Sequence, residues 1–451
     1  MKVAVIGAGI IGVTTAYELS ADGHRVTVFE RCGTVAAETS FANAGVIAPG
    51  YVTPWASPGM PRTVLSHLFS RHTPVRLRGL GAGTLPWLWQ WWRACNLRTY
   101  QANRLRMQRL ATYSRGRLHE LTAALKLDYE RSSGYLVLLR GEKELALAQA
   151  GLASLAELQT RYSIVDADRC RMIEPRLNPD TELHAGIHLP DDEVGNCREF
   201  SYLLRGEAQR LGARFRFHTV VDRIVQGPGP QLVHRYAPPG QTSTVRHSRW
   251  FSDRAPSPTP LDTQPMELGP VTEGFDAIIV CAALGSTRLL HPLGLKVPLQ
   301  AVHGYSVTAP LRRTESHGEF GPRSGLMDER YKVAISRLGT RVRVAGSAEI
   351  GGSPIKHTPA AIDTLYQVLH DWFPGSAQLG QAQHWKGARP MLPDGPPVIG
   401  RSGSDGVWVN LGHGSSGWAL SCGSARLLAD AVVGRTPAID IDGLGVERLA
   451  L

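Results

Sequence analysis

Residues 2–31 read KVAVIGAGIIGVTTAYELSADGHRVTVFER. The run from Val3 to Ile6 is short, apolar and rich in β-branched residues, the pattern of a parallel strand buried on both faces. Gly7, Gly9 and Gly12 follow at once with the spacing G-x-G-x-x-G. A helical repeat then runs through Val13, Ala16 and Leu19 and stops at Gly23, and a second strand, 25–29, ends in Glu30. This succession of strand, glycine turn, helix and strand is the opening unit of a doubly wound α/β sheet.

Each part has a mechanical task. Gly7 permits the tight turn, Gly9 lets the backbone approach a pyrophosphate, and Gly12 lets helix and strand pack closely. The helix N-terminus offers unpaired N–H groups to phosphate charge. Glu30 lies 18 positions after Gly12, where a carboxylate accepts hydrogen bonds from a ribose diol and repels a 2′-phosphate. Val3, Val5, Ile6, Ala8, Ile10, Ile11, Val13 and Arg31 stand in or beside this cradle and are counted with it as cofactor-binding. The unit serves both FAD and NAD. The next stretch, ETSFANAGVIAPGY at 38–51, bears on the choice. Its small side chains, with Ser40, Asn43, Ala44 and Gly45, suit a backbone lying along a second cofactor part such as an isoalloxazine ring, and equally suit a plain surface loop.

The chain has 451 residues, enough for two or three domains. Its formal charge of +10 comes from 49 basic and 39 acidic residues. The basic residues are 42 Arg and 7 Lys, scattered rather than blocked, and no nucleic-acid motif accompanies them. Six dispersed cysteines without a CxxC pair argue for reduced thiols, against a disulfide framework or a zinc site. The N-terminus lacks the pattern of a signal peptide and no apolar run reaches membrane-span length, so a cytoplasmic location is expected.

GAGIIG, ETSFANAGVIAPGY, WASPGMP, GYSVT, GARPMLPDGPPVIGR and GHGSSGWALSCGS occur in that order. With these motifs the chain resembles the FAD-dependent D-amino acid oxidase family, and within it the bacterial dehydrogenases of small-subunit type, from the first residue to about Thr436. The resemblance implies FAD as cofactor, and a doubly wound, Rossmann-type FAD domain (1–50, 199–295 and 390–451). It also implies a substrate domain (51–198 and 296–389) with a large, mostly antiparallel sheet. It implies oxidation of D-amino acids, D-alanine among them, with electrons passed to a quinone or respiratory acceptor and a possible peripheral contact with the inner face of a membrane. It places the Val221 backbone at the adenine, and the turn of FDAIIVCAALGS, with Ala283 and Gly285, against FAD. GHGSSG, with Gly412, His413, Gly414, Ser416 and Gly417, sets N–H groups at a helix start, able to stabilise negative charge on a reduced ring. LPWLWQWWRACN at 85–96 reads as a helix packing its tryptophans on the core or as an interfacial membrane element. Residues 227–273, rich in Pro, Gly, Ser and Thr, read as a disordered or loosely packed insertion, surface-tolerated or partner-binding.

Oxidation at an amino acid Cα requires a fixed cation for the carboxylate. Arg suits it, because its planar fork pairs bidentately and never deprotonates. Arg389 stands in WKGARPMLPDGPPVIG at 385–400, a run read as a stiff loop because Pro and Gly oppose a helix or a central strand. By itself it is an ordinary surface arginine; the resemblance makes it the carboxylate clamp. Tyr331 matches an assisting tyrosine of the family and reads equally as core, and Tyr305 is a weaker candidate. His413 and His303 receive no proton-transfer role, since hydride transfer from a neutral amine needs no base at Cα. Asp394 is expected to cap a turn. Two other readings stay open: an oxygen-using amine oxidase of the glycine or sarcosine type, and a flavin-binding protein without catalysis.

Overall fold

The computed structural model describes residues 1–449 except 67–73, 80, 82, 158–159, 228, 238–268 and 315–317. β1 (Lys2–Ile6) leads through the glycine turn into α1 (Ile10–Ala21) and back along β2 (Arg25–Phe29), parallel to β1. β1 also pairs in parallel with strand Ala277–Val280, which pairs with Val407–Leu411. Arg214–Arg216 extends the sheet beyond β2, and Val398–Arg401 closes the other edge antiparallel. Val3, Val5, Val26, Val28 and Ile279 pack on one face against α1, helices Cys197–Arg210 and Gly417–Val432, and the long helix Leu97–Leu125. Ala4, Ile6, Ile278 and Val280 pack on the other face with Val221, Ile224 and Leu232. Burial on both faces explains why these strands are uniformly apolar rather than alternating.

The second sheet has ten strands. Its path runs Gln383–Met391, Gln300–Pro310, Arg341–Ile350, Val333–Leu338, Gly325–Asp328, Ser132–Leu139, Ala185–Val194 and Val46–Ile47, with two short strands pairing off it. Neighbours on the path are antiparallel except Gly325–Asp328 with Ser132–Leu139. Val333–Leu338 and Arg341–Ile350 form a hairpin, with Gly339 at φ +57 in its turn.

Three expectations are corrected. The 385–400 run is not one loop: 383–391 is a strand at the sheet edge. Pro390 fits there because an edge strand tolerates one missing donor. The expected insertion at 227–273 contains two strands among its described residues. Gln231–Tyr236 and Val271–Gly274 form an antiparallel sheet with Thr219–Val225, and Leu232, Val233 and His234 are buried in succession, with no alternation to signal the strand. Residues 238–268 of that call lie outside the described residues. Val46–Ile47, expected with the cofactor half, joins the large sheet, whereas Leu97–Leu125, expected with the substrate half, packs in the first core. Among the described residues no helix is long and apolar enough to cross a membrane.

Candidate active site

A cavity of about 1480 Å³ runs from the glycine turn of β1 to the exposed face of the large sheet. This exceeds the volume of ordinary small-ligand pockets, about 300–1,000 Å³, and suits a dinucleotide plus a second molecule.

At the cradle end, local packing demands two of the three glycines. A Cβ on Gly12 would lie 1.8 Å from the Gly7 carbonyl oxygen, and one on Gly7 would lie 2.7 Å from that of Cys281. Gly9 differs: its φ is −67 and a Cβ would meet only Ser40 Oγ at 3.5 Å. Among the described residues nothing needs a glycine there, and Gly9 lines the cavity, where a missing Cβ leaves room for a close approach to the backbone. Glu30 crosses the mouth of the turn, its carboxylate accepting from the N–H groups of Ala8 (2.7 Å) and Cys32 (2.8 Å). Burial pushes its pKa up and those two N–H groups oppose the rise. Ser40 Oγ accepts the N–H of Ile10 at the start of α1 (3.1 Å). Asn410, at the C-terminal end of strand Val407–Leu411, gives its Nδ2 to Thr15 and leaves a buried Oδ1 without a partner among the described residues. Crevices beyond strand C-termini are where doubly wound sheets take ligands. A narrow glycine approach, a fixed carboxylate and an orphan acceptor fit a ligand with phosphates and hydroxyls, so the residues fit FAD.

Residues 42–47 carry the chain from this end across the large sheet. Ser306 Oγ donates to the carbonyl of Ala42 (2.8 Å), Arg343 Nη1 to that of Asn43 (3.0 Å) and Ser336 Oγ to that of Ala44 (2.6 Å). Three successive carbonyls are thereby held from below. Arg343 is buried, also donates to Thr308 Oγ1 (2.9 Å), and burial holds its pKa down, to about 9. Of the 38–51 stretch, Ser40, Asn43 and Ala44 line the cavity.

The cavity floor is one register row of the sheet. Ile187 pairs with Val137, Val137 with Met327, Met327 with Ala334, and Ala334 with Ala345. The row continues through Ser306 to Trp385. Near its end lies Arg389. Its Nη1 donates to the carbonyl of Ser347 (2.8 Å), and the rest of the guanidinium opens onto the cavity with no carboxylate in ion-pair range among the described residues. Burial alone holds its pKa down, to about 10, so it stays charged at neutral pH. Two features that sequence reasoning missed place it. A Cβ on Gly304 would lie 2.2 Å from Arg389 Nη2, so Gly304 makes room for the guanidinium. The pairing of Gln300–Pro310 with Arg341–Ile350 slips between His303 and Tyr305, setting Ser347 and Ala348 against Gly304 alone. This bulge, with Ser347 at φ +62, frees the carbonyl that Arg389 uses. The available signal was a glycine inside a strand, which marks close approach by another group.

The remaining candidates divide cleanly. Ile6, Gly7, Gly9, Ile10, Ile11, Glu30, Arg31, Val221, Ala283 and Gly285 line the cavity, as do Gly412, His413, Gly414, Ser416, Gly417, Tyr331 and Tyr305. Val3, Val5, Ala8, Gly12, Val13 and Gly45 do not; they are core or turn residues behind it. The Val221 carbonyl is engaged within the chain, accepting from Arg288 Nη2 (2.7 Å). Tyr305 sends its hydroxyl away, to Glu349 Oε2 (3.0 Å), in a buried group with Thr358 and Lys386. Tyr331 packs its ring under the Arg140 guanidinium, 5.1 Å from the ring centre. His413 is buried beside Ser424 Oγ (3.0 Å) and burial pushes its pKa down, to about 3, while burial and Lys386 lower that of His303. Both are neutral at neutral pH. Asp394 pairs with Arg448 rather than capping a turn.

Known proteins resemble this chain in sequence and in fold. D-amino acid dehydrogenase of Cereibacter sphaeroides is 40% identical over 100% of this chain and 96% of its own. That of Bradyrhizobium diazoefficiens is 39% identical over 100% and 99%. In fold the chain matches glycine oxidase from Geobacillus kaustophilus (TM-score 0.70, 19% identity, 99% and 98% covered). It also matches L-proline dehydrogenase from P. horikoshii (TM-score 0.68, 15% identity, 99% and 97% covered). The model of the DAO family, FAD dependent oxidoreductase, matches residues 2–431, and to that family the chain belongs.

Proposed function

We propose that the protein oxidises D-amino acids, D-alanine among them, to imino acids that hydrolyse to 2-oxo acids and ammonia, and that it passes the electrons to a quinone or respiratory acceptor. The observation that carries this reading is Arg389: a half-buried arginine with no carboxylate in ion-pair range among the described residues, open to the cavity that the dinucleotide cradle also lines. FAD, when bound, supplies the capacity to accept a hydride from Cα. The chain supplies position. Arg389 pairs with the substrate carboxylate, Gly304 and Ser347 fix the guanidinium beforehand, and the small floor residues Ala334 and Ala345 leave room for the amino acid. Relatives near 40% identity carry the name D-amino acid dehydrogenase and supply the choice of substrate hand.

Helix Thr84–Ala94 supports the membrane part of the proposal. It buries Trp87 and Trp91 against Trp55 and turns Leu85, Trp89 and Trp92 outward, each more than half exposed. Exposed tryptophans of this kind favour the bilayer interface.

Anaerobic mixing with D-alanine is expected to bleach the flavin absorbance of the holoenzyme, and L-alanine is not. Failure of every D-amino acid to bleach it sinks the proposal. Rapid peroxide formation in air would select an oxidase instead.

A further inference from the structure

Met327, Ala334 and Ala345 share one row of the cavity floor. Two positions further along the same register stand Glu329, Lys332 and Ser347, and all three line the cavity. Residues two apart along a strand share a face. Glu329 and Lys332 therefore stand in the row of the residue whose carbonyl holds Arg389.

Glu329 is the fixed member of this group. Its Oε2 accepts from the Tyr51 hydroxyl (2.6 Å), and its side chain is 16% exposed. Lys332 is the loose one, its side chain 50% exposed. Its ammonium rests on Glu329 Oε1, donates to the Tyr51 hydroxyl (3.4 Å) and lies 5.8 Å from the centre of the Tyr51 ring, which also lines the cavity. A carboxylate, a hydroxyl oxygen and an aromatic ring together suit an ammonium or guanidinium. Water screens an ion pair with a half-exposed lysine, so a ligand cation can displace it. The other carboxylates lining the cavity among the described residues are held more firmly. Glu30 accepts two backbone N–H groups, Glu38 pairs with Arg31, and Glu144 pairs with Arg330.

The span fits a basic amino acid. Ser347 and Glu329 stand two strands apart, about 10 Å at the usual strand spacing. Lysine has about six bonds between its carboxylate carbon and its ammonium, about 7–8 Å when extended. A hydrogen bond of about 2.8 Å at each end makes up the rest. Alanine, which ends at Cβ, does not reach Glu329.

We propose that Glu329 and Tyr51 form a subsite for a cationic side chain, filled here by the chain's own Lys332, and that D-lysine and D-arginine are substrates whose side chains take its place. The inference rests on the proposed oxidation, which gives the substrate carboxylate its clamp at Arg389.

Equilibrium dialysis of the oxidised holoenzyme with 6-aminohexanoate and with hexanoate tests the subsite. The first spaces its two charges as lysine does, and neither has an α-amine to be oxidised. The parent is expected to bind 6-aminohexanoate more tightly than hexanoate. Lys332→Met, which removes the competing ammonium, should widen that preference about fivefold. Glu329→Gln should abolish it. Both variants should keep their FAD, read from flavin absorbance. In turnover, the ratio of kcat/KM for D-lysine to that for D-norleucine should rise in Lys332→Met and fall in Glu329→Gln. Equal binding of the two ligands by Lys332→Met, or a preference that survives Glu329→Gln, overturns the subsite. So does a preference for adipate that Lys332→Met removes, which would make Lys332 an anion site. Loss of FAD from both variants would give the pair to the cofactor and overturns it too. Failure of every one of these carboxylates to bind overturns the subsite and the Arg389 clamp together. The expected preferences in a chain that oxidises no D-amino acid would keep the subsite and remove only the oxidation.

Discussion

The two ends of the cavity are built on opposite principles. At the cradle, function is local: Gly7, Gly9 and Gly12 lie within six residues, and Glu30 reaches them through one helix and one strand. At the floor, function is assembled from far apart. Arg389 needs Gly304 across one strand pair and the Ser347 carbonyl across a bulge in the next, and residues 42–44 need Ser306, Ser336 and Arg343 from three strands. Two arginines on the sheet sharpen the contrast. Arg343 donates to Asn43 and Thr308 and serves the scaffold, while Arg389 makes one bond and turns the rest of its fork to the cavity. Residue type does not distinguish clamp from strut; the unspent hydrogen-bonding capacity does.

If the ends are separate in function, a lesion at one should leave the other intact. Gly12→Val should have the largest effect, because its Cβ would overlap the Gly7 carbonyl. Loss of more than about 4 kcal/mol of stability, and of bound FAD, is expected by urea unfolding and flavin absorbance. Retention of FAD by this variant would break the account of the cradle. Arg389→Ala should raise the KM for D-alanine by about 30- to 1,000-fold, a loss of about 2–4 kcal/mol, with FAD still bound. Unchanged steady-state kinetics would refute the clamp.

His413 joins the two ends, its backbone bridged to Met391 at the end of the Arg389 strand. An unfolded histidine titrates near about 6.5 and the folded one near about 3, so acid favours the unfolded chain. Its contribution is fully present above pH about 6.5 and is lost as pH falls toward about 3; at pH 4 the loss is about 3 kcal/mol. His413→Gln, which keeps a partner for Ser424 but does not titrate there, should lose less stability between pH 7 and pH 4 than the parent. Equal losses, read from urea midpoints, would remove His413 from the account. Gly304→Ala should have the smallest effect, raising the KM about tenfold by displacing the guanidinium while leaving FAD affinity unchanged. An equal fall in FAD affinity would show that the ends are mechanically one.

Much of the fold was legible in the letters, and unevenly. The hydrophobic run, the glycine spacing and the acid at Glu30 specify the first βαβ unit because their partners are close in the chain. The edge strand 383–391 was hidden because proline and glycine usually argue against strands, and only its place at the sheet edge removes the penalty. The strands 231–236 and 271–274 were hidden because each is too short to establish a period. Gly304 lay in view within GYSVT, but a glycine does not name the group that needs its space.

By itself, the sequence determined a dinucleotide cradle at the start of a doubly wound sheet, since backbone sterics and helix N-terminal charge act over a few residues. Only the tertiary structure decided that Arg389 faces a cavity, that Tyr305 gives its hydroxyl to Glu349, and that Arg343 holds the chain at Asn43. Those outcomes depend on register between strands distant in the chain, where a slip of one residue turns every side chain to the other face.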